Sequence, residues 1–141
     1  MHRQLLILLC FISVIARGQI KAGTDKTRIN VACDKIMSAL VNKNYDAVVS
    51  LLKENSVISA ASVDSLKPQI ISGIEISSTN YGKLLGSTFI KEKKAADIAI
   101  NRYYAIRFER YFLKCQFSLY NNGKRWVITG FNFDEEFSDL F

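Results

Sequence analysis

Two carboxylates and two thiols are the side chains of this sequence best suited to chemistry. Asp97 and Glu109 fall on or beside expected strands, where a carboxylate pair could pass a proton as general acid and base. Cys33 and Cys115 could pair or remain thiols. Imidazole is almost missing, because the 141 residues hold one histidine, His2. It falls in a leader that reads as removable, so the mature chain has none. A serine or cysteine nucleophile that relies on histidine then has no base. Zinc takes Cys and His ligands in fours, or in threes with water, and two cysteines fall short. No G-x-x-x-x-G-K-[ST], G-x-G-x-x-G or D-x-D-x-D-G motif occurs. No cofactor, metal or catalytic residue is therefore expected, and Asp97 and Glu109 read more simply as surface charges.

A chain that passes through an oxidising compartment can join its cysteines. A Cys33–Cys115 disulfide would close a long loop, and such closure stabilises by up to about 4–5 kcal/mol. Two buried free thiols packing as small apolar groups is the simpler alternative. The aromatic residues Tyr103, Tyr104, Tyr111, Phe112 and Trp126 are the candidates for a ligand-binding or interface surface. Tyr and Trp bury area while keeping a polar end. Plain core packing is the competing reading for each. For a contact between two copies of the chain, the face bearing Tyr103, Ala105 and Arg107 suits better than the polar side of Lys114, Gln116 and Ser118.

The N-terminus carries Arg3 and then an apolar run from Leu5 to Ala16. That run is too short for a membrane span, which needs roughly 20 residues, and suits the centre of a secretory leader. Ala16-Arg17-Gly18 places small residues for cleavage before Gln19, with cleavage after Gln19 as the alternative. An uncleaved buried helix, or a lipid anchor on Cys10, are weaker readings. The expected organisation is a signal peptide over 1–18 and one domain over 19–141, exported to the periplasm or secreted, with no membrane span left. Losing Arg3 and Arg17 lowers the formal net charge from +6 to +4. Such a mild, scattered excess does not suggest a nucleic-acid partner. Lys91, Lys93 and Lys94 read as a solvated turn. Asp134, Glu135, Glu136 and Asp139 gather in an aromatic tail from Phe131 to Phe141, either a final strand with a frayed end or a docking peptide.

Periodicity supplies the elements. Ile29, Cys33, Ile36, Met37 and Leu40 recur at three and four, predicting a helix over Thr24–Asn42. Asn44 caps a second helix, Tyr45–Lys53. Val57 and Ile58 are expected to dip inward from the loop that follows. A third helix spans Ser62–Thr79, starting near Lys67 if Pro68 sits in its first turn. After Gly82 the period shortens to two. Strands are expected over Leu84–Glu92, from Ile98 to Phe108, across Leu113–Leu119, and from Trp126 to Phe133 after an Asn121-Asn122-Gly123 turn. In the second strand, Arg102 breaks the apolar side made by Ile98, Ile100, Tyr104, Ile106 and Phe108. Helices before strands predict an α+β domain, with N-terminal helices on one face of a bent, cone-like antiparallel sheet.

This order resembles the nuclear-transport-factor-two-like, or cystatin-like, superfamily. More narrowly, it is similar to small exported bacterial domains of unknown function in that group. The helix Ala32–Val41, the Asn44-Tyr45-Asp46-Ala47-Val48 start, Ser65-Leu66, Tyr81-Gly82-Lys83-Leu84 and Lys124-Arg125-Trp126-Val127-Ile128 carry the resemblance, which covers 25–133. The leader junction resembles exported Bacteroidetes proteins. The resemblance implies a conical pocket and a binding role, or an isomerase with an Asp base and a Tyr donor. No such pair matches by position, and the histidine of dehydratase members is missing. The expected function is an exported, non-catalytic domain that binds a small apolar ligand or an envelope protein, with a homodimer as a further candidate. A histidine-free acid–base enzyme of the isomerase type, and a secreted structural or inhibitor module, are the alternatives.

Overall fold

The structure is a computed structural model that describes residues 25–141. The expected leader and its cleavage site lie outside the described residues. Helix α1 spans 25–41. Helices α2 (Tyr45–Asn55) and α3 (Ala60–Tyr81) follow, then strands β1 (Leu84–Ala95), β2 (Ala99–Phe108), β3 (Phe112–Asn121) and β4 (Trp126–Asp134). A short 3-10 turn, Ser138–Leu140, ends the chain. The helices pack on one face of an open antiparallel sheet of order β1-β2-β3-β4. This is the α+β architecture that the order of the elements predicts.

The apolar stripe of α1 is the one read from its spacing: Ile29, Cys33, Ile36, Met37 and Leu40 are all buried. They meet Val48 and Leu52 of α2 and Val63, Ile70 and Ile74 of α3 in one cluster. The sheet contributes Ile100, Tyr104, Ile106 and Phe108 from β2 and Leu113, Cys115, Phe117 and Leu119 from β3. Each fully buried aliphatic or Phe side chain stabilises the fold by about 1.5–3 kcal/mol relative to exposure. Lys43 turns the chain from α1 to α2 at φ 57°. The Asn44 side chain caps α2 by accepting from the Ala47 N–H at 3.2 Å, as the sequence suggests.

Several expectations need correction. Helix α3 begins at Ala60, with Ser59 as its cap, and Pro68 lies well inside it. Pro68 and Asp64, whose carbonyl loses its i+4 donor, are both exposed, so water can satisfy that carbonyl. Val57 does not dip inward and is 62% exposed. Its N–H donates to the Ile128 carbonyl at 3.0 Å, and this short parallel bridge to β4 turns the side chain out. Only Ile58 packs on the core. Lys91, Lys93 and Lys94 belong to β1 and not to a turn. They mark it as an edge strand, where lysine discourages pairing with other chains.

Register shifts between Leu84 and Gly86 and between Phe89 and Lys91 interrupt the pairing of β1 with β2. Another lies where Ser118 and Leu119 of β3 face Gly130 and Ile128 of β4. Bulges of this kind bend a strand and increase its twist. The first helix is tied to the last strand. The Trp126 N–H donates to Asp25 Oδ2 at 2.5 Å. Arg28 Nη2 donates to the Trp126 carbonyl at 2.8 Å, and Arg28 Nη1 to Asn55 Oδ1 at 2.9 Å.

Candidate functional site

The five candidate aromatics do not converge. Tyr104 points to the helices and Trp126 joins the same core. Tyr103 is buried on the opposite face of the sheet, as its neighbour's inward direction requires. Tyr111 and Phe112 sit at the β2–β3 end. Tyr111 tilts against Tyr81, with ring centroids 4.8 Å apart, and Phe112 stacks on Phe137 of the tail at 4.5 Å.

The two sides contrasted for an interface are one face. Tyr103 pairs with Gln116, Ala105 with Lys114 and Arg107 with Phe112. Directly opposed residues on antiparallel strands share a face, so the polar residues lie among the aromatic ones.

Asp97 and Glu109 cannot act together. They flank the two ends of β2, about 30 Å apart at roughly 3.3 Å per residue. Glu109 has a structural task. Its Oε2 accepts from the Lys83 N–H at 2.9 Å, against Gly82 at the end of α3. Cys33 and Cys115 are free and buried between α1 and the sheet. Burial pushes the Cys33 thiol up to about 12 and raises that of Cys115 as well. Neither has thiolate character for catalysis.

The polar centre of the helix–sheet interface is Arg102. It occupies the apolar phase of β2 and is 7% exposed. Its Nε donates to Tyr104 Oη at 2.7 Å, Nη1 to Glu92 Oε1 at 2.7 Å and Nη2 to Asp34 Oδ1 at 3.1 Å. Lys26 adds a second donor to Glu92 at 2.9 Å, and the guanidinium lies 4.2 Å from the Phe89 ring centroid. Burial opposes the charge, but Tyr104, Glu92 and Asp34 outweigh it and hold Arg102 above its ordinary range. Burial also acts to raise Glu92, yet the hydrogen bonds from Lys26 and Arg102 keep its carboxyl below its usual value. The donors of the cluster are turned on its own acceptors, which makes it a clamp between α1, β1 and β2. The sequence showed Arg102 only as an interruption. Its available signal was a cation in the apolar phase, with Asp34 and Glu92 to meet it.

The opposite face of the sheet carries a cavity of about 460 Å³, lined by Thr88, Ile90, Ala105, Arg107, Phe112, Leu140 and Phe141. Its walls are mainly apolar and no carboxylate side chain lines it. The C-terminal turn forms one wall, held by an unusual residue. Lys114 is 3% exposed and its Nζ reaches Asp139 Oδ1 at 2.9 Å and Asp134 Oδ1 at 3.3 Å. Burial works against this ammonium, but the hydrogen bonds it donates to Asp139 and Asp134 raise it above its ordinary value. Lys91 Nζ donates to the Leu140 carbonyl, and Leu140 is buried. The tail is thus a docked segment rather than a frayed end. Sequence reading named Ala105, Arg107 and Phe112 of this lining. It missed Thr88 and Ile90 because the bulge in β1 breaks their alternation. The spacing of Phe137, Leu140 and Phe141 at three and four was the signal for the tail.

A second, smaller groove of about 360 Å³ lies between α3 and β4, where Leu66, Ile70, Phe131 and Phe133 meet the amides of Gln69 and Asn132. Among the described residues no helix is long and apolar enough to cross a membrane, and no group of His, Cys, Asp and Glu is arranged to hold a metal. No protein-family model, curated protein or solved structure matches this chain. The fold is compatible with the nuclear-transport-factor-two-like arrangement at the level of its three helices and antiparallel sheet.

Proposed function

We propose that this chain is an exported binding domain of the nuclear-transport-factor-two-like group that takes a small apolar ligand. The cavity on the helix-free face of the sheet carries this reading. Small-molecule sites are concave, mostly apolar and furnished with few polar groups. Ile90, Ala105, Phe112 and Leu140 give the apolar walls, and Thr88 and Arg107 the polar ones. The helix side is already occupied by core side chains, which favours the outer face. Export rests on Arg3 and the Leu5–Ala16 run.

Native mass spectrometry of the chain recovered from its own host, without reduction, tests both parts. Expected is a polypeptide beginning near residue 19, with extra mass that leaves on denaturation. A chain that keeps Met1 removes the export reading. An empty chain under conditions that preserve weak complexes removes the ligand.

A further inference from the structure

The ligand's chemistry follows from one cation whose side chain has no partner among the described residues, an inference that rests on the binding role proposed above. We infer that the outer-face cavity takes an amphipathic anion: an aliphatic chain ending in a single carboxylate, with the carboxylate on Arg107. Arg107 is exposed and lines the cavity, yet its side chain forms no hydrogen bond or ion pair with any described residue. Two other cations near the tail are engaged: Lys91 with the Leu140 carbonyl and Lys114 with Asp134 and Asp139. Arg107 is the one cationic side chain among the residues that line the cavity.

The strand beside it makes room. Gly86 of β1 pairs directly with Arg107, and a Cβ added at Gly86 would come 3.5 Å from Arg107 Nη2. The guanidinium therefore lies across a position without a side chain, next to the cavity. A planar fork of N–H donors suits a carboxylate, which it can hold through two parallel hydrogen bonds. Thr88, also in the lining, offers a hydroxyl beside it. Beyond this polar end the walls are Ile90, Ala105, Phe112 and Leu140. They can exchange water for a hydrocarbon chain but offer nothing to a second charge. No carboxylate side chain stands in the lining, and a cationic head would face Arg107.

Calorimetric titration of the full chain with dodecanoate, dodecanol and dodecyltrimethylammonium, each below its aggregation concentration, tests the assignment. Dodecanoate is expected to bind most tightly and the cation weakest. Arg107→Gln should weaken dodecanoate about tenfold or more while leaving dodecanol unchanged, and Arg107→Lys should fall between, because it keeps charge without the fork. Arg107 supports no other residue, so these variants should fold as the parent does. Equal binding of dodecanol and dodecanoate, or an unchanged Arg107→Gln, overturns the anionic head and leaves the apolar site standing. Binding of none of the three overturns the site itself.

Discussion

The Tyr104 hydroxyl donates to Asp34 Oδ1 at 2.5 Å, joining the middle of the sheet to the middle of the first helix. The same carboxylate oxygen accepts from Arg102, which in turn donates to Tyr104. The three side chains form a closed triangle at the edge of an otherwise apolar layer. Buried polar groups are tolerated where each finds a partner, and a fully satisfied network fixes one relative position of the elements it joins.

Removal of the hub should therefore be costly. Arg102→Ala leaves Glu92 with Lys26 alone and Tyr104 without its second partner. Breaking a buried ion pair typically costs 3–5 kcal/mol, and the partial exposure of Asp34 moderates this to an expected loss of about 2–3 kcal/mol. Urea unfolding of the two proteins checks it. A loss under about 1 kcal/mol would show that the cluster is peripheral to stability.

Stability should decline on the alkaline side. Burial, followed by the hydrogen bond to Asp34, pushes the Tyr104 phenol well above its ordinary 10.0. The thiols of Cys33 and Cys115 are raised from 9.0. A raised folded value means that the native chain holds its proton longer than the unfolded chain does. This contribution is complete below the unfolded value and is lost as pH rises toward the folded one. The urea midpoint should begin to fall near pH 9, as unfolded thiols ionise, and more steeply above pH 10. Tyr104→Phe should be less stable at pH 8 but lose less between pH 9 and 11. Parallel profiles for the two proteins would remove Tyr104 from this account.

Cys33 and Cys115 should resist alkylation. Both are fully enclosed and protonated near neutrality, whereas attack needs an accessible thiolate. Peptide mapping after iodoacetamide at pH 8 should find them unmodified in the folded chain and labelled together in urea. Rapid labelling of the native protein would mean that α1 lifts from the sheet far more readily than its contacts imply.

The tail should come loose without the domain unfolding. Asp139→Asn removes one of two counter-charges from Lys114, while Asp134 remains at 3.3 Å. Global stability should change by less than about 1 kcal/mol, since both carboxylates are partly solvated. Amide exchange in the last residues should nevertheless quicken. Unchanged exchange at 138–141 would assign the docking to Phe137 and Leu140 instead.

Two glycines with nearly the same φ should respond differently to alanine. Gly82 has φ 88° and Gly123 has φ 86°. A Cβ at Gly82 would fall 2.5 Å from Glu109 Oε2, while at Gly123 nothing lies within 4 Å. Gly123→Ala should carry only the backbone cost of a left-handed residue, about 1 kcal/mol. Gly82→Ala should exceed it and also disturb the Glu109 hydrogen bond to Lys83. Equal thermal shifts would mean that Glu109 moves aside freely.

Much of the fold was legible because burial and period coincide. The stripe of α1 and the alternation of Leu113, Cys115, Phe117 and Leu119 each serve one apolar layer, so spacing alone locates them. The site was less legible, for three physical reasons. The bulges in β1 shift Phe89, Ile90 and Lys91 out of simple alternation. Arg102 is charged at an inward position, and only neighbours distant in sequence make that acceptable. The tail docks through Lys114, a lysine whose burial depends on carboxylates that follow it by 20 and 25 residues. Tyr103 and Lys114 were assigned to different sides because the pairing register, unlike the period, is not written in one strand.

The bond between Asp25 and Trp126 bears on how the chain reaches this state. Neighbouring strands of the sheet are consecutive in sequence, so their pairing closes short loops and can proceed early. The first described helix has to wait, because its tether lies 101 positions downstream. A nascent chain that has emerged only through β3 therefore holds α1 without its terminal anchor. Completion of the domain is a late, long-range event, and a truncation just before Trp126 should be felt first at the opposite end of the chain.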